Sequence, residues 1–247
     1  MESTLGQRLL ARGGFVWRAF SAGLFASVLL AAPWAAAAPT LRSPQVTLGG
    51  TGLQAFLDSR GESIDVQQDQ IVGELVRSNV SNLAPFTIQF ELGATGGGTT
   101  IGLYNGHDQN PVLMPVFPAS AVAGWFAVAS YRLAPTRVII NVFDRDAVLY
   151  STQTFLGGDR NAIGFFVLGP GGMFYAQDHR NPNGAPQCLF FPGTGIFGGS
   201  MWLAFEGQPF VGGDRDFEDA VLFVESGNSG IVDNLHTTWG QLKQRFR

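Results

Sequence analysis

Residues 202–226 of this chain read WLAFEGQPFVGGDRDFEDAVLFVES. The stretch holds an aromatic apolar segment, a Gly-Gly turn, an Asp-x-Asp-x-x-Asp cluster and a second apolar segment. Two apolar segments on either side of a glycine turn indicate paired β-strands. Residues 220–224 are so uniformly apolar that we expect a central strand covered on both faces. The acidic cluster between the strands is a candidate cation site.

The rest of the chain repeats the pattern of short strands and turns. Glycine accounts for 33 of the 247 residues and phenylalanine for 21, a composition typical of many short strands joined by tight turns. Between Phe86 and Leu92 apolar and polar residues alternate, the period of a half-buried strand. Helical periodicity between strands is scarce. The pattern predicts an all-β fold, an antiparallel β-sandwich or jelly roll.

Individual strands are expected wherever a short apolar segment is bounded by turn residues. The expected segments are 44–48, 53–57, 63–66, 86–92, 99–104, 125–133, 137–144, 147–155, 162–168, 173–176, 187–191, 201–206 and 217–225. Asp144-Arg-Asp146 is expected to reverse a hairpin, because Asp tolerates turn backbone. Residues 105–123 are rich in proline and are expected to be irregular.

The two ends of the chain differ from this pattern. Residues 1–37 carry three Arg before an apolar stretch and end in Ala35-Ala-Ala37, the composition of a signal peptide cleaved after Ala37. The apolar stretch is shorter than the roughly 20 residues of a membrane anchor. Residues 231–247 place Trp239, Leu242 and Phe246 on one face of an amphipathic helix. We therefore expect an exported chain, secreted or in the cell envelope, whose β-sandwich spans 38–230.

Composition also bounds the partners of the chain. The formal net charge is -4, and Lys243 is the only lysine, so the clustered cations that bind nucleic acid are not expected. Cys188 is the only cysteine and cannot form an intramolecular disulfide. We expect it to be a small buried apolar residue. After signal cleavage no stable membrane insertion is expected, and an extracellular or envelope protein or a glycan remains as the partner.

The acidic cluster has the chemistry of a calcium site. Ca²⁺ takes six to eight oxygen ligands, and alternating carboxylates on a glycine-opened turn can converge on one ion. The expected ligands are Asp214, Asp216 and Asp219, with Glu206 and Asp178, assisted by Asn181, completing the shell. The spacing is not that of an EF-hand. The alternative is structural: these Asp residues cap turn amides and pair with Arg215 or Arg160.

A catalytic constellation is not evident in the sequence. The three histidines, His107, His179 and His236, are far apart, and no Gly-x-Ser-x-Gly motif occurs. The three histidines and the one cysteine are also too far apart in the sequence to form a zinc-binding motif. Paired carboxylates of a glycoside hydrolase stay open, because their separation is a spatial quantity. We expect a protein that is not an enzyme.

Several segments resemble one known family. They are 164–168, Met173 to Asp178, Asn181, 184–187, 202–206 and 213–224. Over about residues 160–226 the chain resembles the DUF4114 family of bacterial secreted and surface proteins. That family has the motif Phe-Glu-Asp before the loop. After the loop it has the six-residue motif Asp-x-Asp-[Tyr/Phe]-Asn-Asp. Here Gly207 and Glu218 stand in place of the Asp and the Asn.

The DUF4114 resemblance implies an extracellular β-sandwich module, often in proteins sorted to the cell envelope, and it implies no activity. Many relatives carry a transmembrane sorting tail. Here the amphipathic segment 231–247 takes that place, so we expect the chain to be released or held by noncovalent contacts.

Three functions follow as hypotheses. The first is a non-catalytic envelope or matrix module for adhesion or assembly, stabilised by calcium. The second is a carbohydrate-binding module, in which an aromatic side chain offers a flat platform to a sugar ring. Its candidate platforms are Trp125, Trp202, Tyr131 and Tyr175. The third is a glycoside hydrolase-like enzyme.

Overall fold

A computed structural model describes residues 39–78, 86–95, 97–225 and 227–228. The expected signal peptide and C-terminal helix lie outside the described residues. The strands, in chain order, are β1 (Arg77–Ser78), β2 (Phe86–Thr95), β3 (Thr100–Asn105), β4 (Met114–Phe117), β5 (Phe126–Leu133), β6 (Thr136–Phe143), β7 (Leu149–Leu156), β8 (Ile163–Gly169), β9 (Gly172–Tyr175), β10 (Cys188–Pro192), β11 (Met201–Phe205), β12 (Ala220–Glu225) and β13 (Gly227–Asn228). Helix α1 spans Gly52–Ser59.

The strands form two main antiparallel sheets. The larger sheet has seven strands in the order β10-β11-β12-β2-β5-β6-β7, and the smaller has four in the order β4-β3-β8-β9. Strands β1 and β13 form a separate pair. Three short 3₁₀ segments in the described chain, Asp178–Arg180, Pro182–Gly184 and Gly195–Phe197, connect strands of the second half. The predicted all-β sandwich is confirmed.

The main core lies between the two sheets. Alternate side chains of the large sheet, such as Phe90 and Ile140, pack with Phe165 and Phe117 of the small sheet. Phe90 contacts both of these rings edge to face, with centroids 5.8 Å apart in each case. Strand period two therefore sets which side chains face inward.

A second core covers the outer face of the large sheet at β10, β11 and β12. Trp202 of β11, which is 0% exposed, packs there with Phe223, Phe197 and Leu57 of α1. The cover comes from residues 46–66, far away in the sequence. Both faces of β11 and β12 are thus buried, and the expectation that 220–224 forms a strand covered on both faces is confirmed.

The expected strands between residues 44 and 66 are wrong. Residues 44–48 and 63–66 are irregular, and 53–57 lie inside α1. Leu53, Phe56 and Leu57 have the i, i+3, i+4 spacing of an apolar helix face, and this face packs on the sheet. A five-residue apolar segment is too short to distinguish the two periods.

Elsewhere the strand predictions hold to within a few residues. Strands β1, β4 and β13 were not predicted. Strand β4 lies inside the proline-rich segment expected to be irregular. Its Pro115 is tolerated because β4 is an edge strand of the small sheet. Asp144-Arg-Asp146 turns the β6–β7 hairpin as expected, and the carboxylate of Asp144 accepts the amides of Asp146 and Val148 at 3.0 and 2.9 Å.

Candidate metal centre

The acidic loop connects two neighbouring strands of the large sheet. Glu206 directly follows β11, and Asp219 directly precedes β12. The strands are antiparallel, with Phe205 opposite Ala220, so the two acidic residues meet at the base of the loop. The carboxylate of Asp219 accepts the amide of Gly207 at 2.7 Å.

The loop turns back through two non-glycine residues with positive φ. Arg215 has φ of 60° and Phe217 has φ of 55°, on either side of Asp216. Phe217 is buried in the second core, and the carbonyl of Arg215 accepts the amide of Gly49 at 2.9 Å. The Arg215 side chain donates to the carbonyl of Phe210 at 3.0 Å, away from an acidic partner. These contacts attach the loop to the segment that covers the sheet.

Three acidic side chains converge inside the loop. Glu206, Asp214 and Asp216 each present a carboxylate oxygen, and these oxygens lie within 4.8 Å of one another. Glu206 is buried, Asp216 is half-buried and Asp214 is exposed. Asp219 lies beside Glu206 and is hydrogen-bonded to the same turn. Four of the five predicted ligands therefore come together.

Glu206 is the unusual member of this group. Its side chain is 0% exposed. Oε1 accepts the amide of Gln208 at 3.0 Å, whereas Oε2 is buried and has no N–H donor from the described chain. The carboxyl group of Asp219 lies at hydrogen-bond distance from that of Glu206 and can donate only when it is protonated. Burial, followed by the charges of Asp219 and Asp214, raises the pKa of Glu206 to about 7. The ion pairs between described residues, Arg42–Asp178, His107–Asp159 and His179–Glu74, lie elsewhere.

The structural alternative is realised in part. Asp219 caps the amide of Gly207, and Asp216 accepts the amide of Glu218 at 3.1 Å. Capping uses one oxygen of each carboxylate. Capping gives no partner to the buried Oε2 of Glu206. A charged oxygen that is buried without a donor or a cation is costly.

The fifth predicted ligand, Asp178, lies outside this group. Its carboxylate is bound by the guanidinium of Arg42, and its amide donates to Glu74 at 3.3 Å. Asn181 uses its side-chain amide on the backbone of Tyr175 and Ala185. Both residues organise the 3₁₀ segments after β9, so the expectation that they complete the cation shell is wrong.

A cavity of about 370 Å³ opens beside the acidic loop. Its lining includes Asp216, Glu218 and Asp219 together with the apolar Phe56 and Val221. Burial, followed by the charge of Asp214 and Asp219, raises the pKa of Asp216. The carboxylates are thus reached from solvent through a cavity that is half apolar.

The four candidate aromatic platforms fall into two groups. Trp202 and Tyr131 are buried in the two cores and are not platforms. Trp125 is half-buried and packs on Tyr150, with ring centroids 4.8 Å apart. Tyr175 lines a second cavity of about 810 Å³.

The second cavity has a mixed polar and apolar lining. Its lining includes His107, Asp108, His179 and Arg180, besides Tyr175. Arg180 holds the wall in place by donating to the carbonyls of Gly106, Asp108 and Gln109. Sequence reasoning missed Arg180, because its partners lie more than 70 residues away in the chain.

The described histidines lie at the surface, and the cysteine is buried. His107 pairs with Asp159 at 3.1 Å, and His179 lies 4.0 Å from Glu74, both at the surface. His236 lies outside the described residues. Cys188 is fully buried, which raises the pKa of its thiol and disfavours the reactive thiolate.

Comparisons with known proteins add no relative. Scans of protein-family models, curated proteins and solved structures find no match to this chain. The DUF4114 resemblance stays a prediction. In the described residues, no helix has both the length and the apolar character needed to span a bilayer.

Proposed function

We propose that this chain is an exported, non-catalytic β-sandwich module for adhesion or assembly, and that its β11–β12 loop binds a stabilising calcium ion. The observation that carries the cation part is the convergence of one carboxylate oxygen each from Glu206, Asp214 and Asp216 within 4.8 Å, together with a buried Oε2 of Glu206 that has no N–H donor from the described chain. A divalent cation supplies the charge that this oxygen needs.

Calcium fits the donor set better than other common metals. All ligands on offer are carboxylate or backbone oxygens, whereas zinc favours nitrogen and sulfur. The loop is irregular, and calcium accepts irregular shells more readily than magnesium, which demands octahedral geometry. Asp219 and water reached through the adjacent cavity offer further oxygens.

A non-catalytic role is supported by the closeness of the carboxylates. The acid and the nucleophile or base of a glycosidase stand on opposite sides of a sugar, about 5 to 9.5 Å apart. Here three ligand atoms lie within 4.8 Å of one another, and one of their carboxylates has no exposed surface. That arrangement suits a small ion more than a sugar ring.

Calcium titration with thermal unfolding tests the proposal. The purified chain, treated with chelator, should gain thermal stability as calcium is added, because the folded form alone binds the ion. Magnesium, added in parallel, should give a smaller shift. A melting temperature that is independent of calcium would contradict the cation site.

Substitutions distinguish ion binding from simple structural loss. Glu206→Gln should be at least as stable as the parent chain in chelator, because it removes a buried ionisable oxygen, and less stable in calcium. Asp214→Asn, at an exposed position, should weaken calcium binding with little effect in chelator. Asp58→Asn is the matched control, since Asp58 is exposed and contacts Gln54 of the same helix. A calcium response that Glu206→Gln leaves intact would place the ion elsewhere.

Carbohydrate binding is the second candidate, favoured by the cavity at Tyr175. Tyr175 is half-buried, and the lining offers hydrogen-bonding groups from His107, Asp108 and Arg180. A glycan array tests this candidate directly. Binding that Tyr175→Ala abolishes and Trp125→Ala retains would support it, and no binding across polysaccharides would remove it.

A further inference from the structure

Strand β7 is an edge strand of unusual character. In the described chain it pairs with β6 alone, so its second edge faces away from the sheet. Residues 147–158 contain no charged side chain and no proline. Edge strands usually carry charges, proline or covering segments, which block pairing with another chain.

The three other edges of the sandwich carry such protection. Strand β10 is bridged by Ile71, whose amide donates to the carbonyl of Phe190 at 2.9 Å. Strand β4 has four residues and includes Pro115. Strand β9 also has only four residues. The eight-residue β7 is the exception.

The exposed side chains of β7 are arranged symmetrically. Leu149 and Tyr150 at its start are 53% and 56% exposed, and Leu156 at its end is 85% exposed. Thr152 and Thr154 are exposed on the face opposite to the core, on either side of Gln153. A strand with this order is complementary to itself in the antiparallel direction.

We propose that β7 pairs with β7 of a second copy of this chain, antiparallel and centred on Gln153. Thr152 of one copy then lies opposite Thr154 of the other. Each Leu156 meets the Leu149–Tyr150 end of the partner strand. Cross-strand threonine pairs and apolar pairs stabilise antiparallel sheets, and an isologous contact closes after two copies. The seven-stranded sheet would continue across the dimer as fourteen strands.

The charges at the two ends of β7 favour the same arrangement. The turn before β7 holds Asp144, Arg145 and Asp146. At the opposite end Arg137 pairs with Leu156, and Arg132 lies on the far side of Arg137. Asp159 and Arg160 follow β7 at this end. Antiparallel pairing brings the acidic turn of one copy near the arginines of the other. A parallel arrangement would place like ends together.

The β7 dimer rests on the proposed function, because it names a second copy of the chain as the partner in assembly. It does not depend on the calcium site, because β7 lies at the opposite edge of the large sheet from β10 and β11. Glu206→Gln should therefore leave dimerisation unchanged. A parent chain that responds to calcium but stays monomeric would reject only the β7 dimer and would leave the calcium site untouched.

A pair of double variants tests the contact and its register. T152K/T154K places Lys opposite Lys across the dimer, and T152K/T154E places Lys opposite Glu. Both variants lose the hydrogen bond from Thr152 to Asn141, which is 2.8 Å long, so they are matched within the monomer. Sedimentation equilibrium of the purified chain over a range of concentrations gives the dimer dissociation constant.

The parent chain should dimerise. T152K/T154K should raise its dissociation constant by about 10-fold or more, since two like-charge pairs oppose association. T152K/T154E should restore association to the parent level or beyond. A parent chain that stays monomeric at every concentration, or equal dissociation constants for the two variants, would overturn the proposal.

Discussion

The outer face of the large sheet is built differently at its two ends. At β10–β12 it is covered by residues 46–66 and helix α1, so that all five residues of β11 are buried. At β6 and β7 the outward side chains are half-exposed or exposed, and buried residues alternate with them along β6. The same sheet is therefore the middle of three layers at one end and the outer of two layers at the other.

In the covered half, a buried carboxylate holds the covering segment on the sheet. Glu62, which is 5% exposed, accepts the indole N–H of Trp202 at 2.6 Å. Its other oxygen accepts both the amide and the hydroxyl of Thr194, at 2.7 and 2.6 Å. A buried carboxylate with satisfied oxygens fixes the cover in place. At Glu206, at the end of the same half, only Oε1 has an N–H donor, and this difference is why we propose that Glu206 binds a cation.

The largest expected effect breaks the covered half. Trp202→Ala should lower the free energy of unfolding by about 3–5 kcal/mol, because it leaves a cavity and strands the carboxylate of Glu62. Ile139→Ala on the outward face of β6 should cost about 1 kcal/mol, because that residue is half-buried. Urea unfolding of both variants measures the difference. Equal losses would contradict the two-ended description of the sheet.

Calcium should act on the covered half alone. At about 100 times its dissociation constant the ion should add about 2.7 kcal/mol to the folded state. Hydrogen exchange should slow at Gly49 and in the acidic loop, which are joined by a backbone hydrogen bond. Exchange in the β6–β7 hairpin should change only as far as global unfolding contributes. The measurement needs conditions in which amides exchange by local opening. If calcium then slows exchange equally in both halves, a site in the loop is contradicted.

A buried carboxylate on β2, where the two halves meet, predicts a pH effect. Burial raises the pKa of Glu91 to about 8; the positive charge of Arg60 opposes this shift, and the negative charge of Glu225 adds to it. The folded chain thus keeps a proton that the unfolded chain releases above its ordinary pKa of 4.5. Stability contributed at Glu91 should fall as pH rises from about 4.5 to about 8, because the unfolded state binds fewer protons.

Glu91→Gln should remove this dependence. Relative to the parent chain, the variant should gain a few kcal/mol of stability between the acid and alkaline ends of that window, at about 1.4 kcal/mol for each pKa unit. Urea unfolding in chelator at several pH values measures the gain. Glu206 titrates in an overlapping range, but both chains carry it, so its contribution cancels when the variant is compared with the parent chain. Parallel pH curves for the two chains would contradict the raised pKa.

The smallest effect is expected on the open half. Leu156→Ala should change the unfolding free energy of the monomer by less than about 0.5 kcal/mol, because the side chain is 85% exposed. Its measurement at low protein concentration isolates the monomer from any β7 contact. A loss above 1 kcal/mol would mean that Leu156 is packed against part of the chain.

The strand segments of the sandwich were predictable because their signals are local. Alternation in 86–92, the apolar 220–224 and the Asp144–Asp146 turn each depend on neighbours a few residues away. Helix α1 was not predictable in this way. Its Leu53, Phe56 and Leu57 fit a strand as well as a helix over five residues, and the decision came from packing on Trp202.

At the candidate metal site, too, features that depend on neighbours in the sequence were predictable, and features that depend on distant segments were not. The sequence alone determined that Glu206 and Asp219 bracket a hairpin loop with Asp214 and Asp216 inside it, because hairpin geometry is set by adjacent strands. Only the tertiary structure decided that Glu206 loses all contact with solvent, and that Asp178 goes to Arg42. Burial and ion pairing depend on segments more than a hundred residues apart, and no local period records which of them will meet.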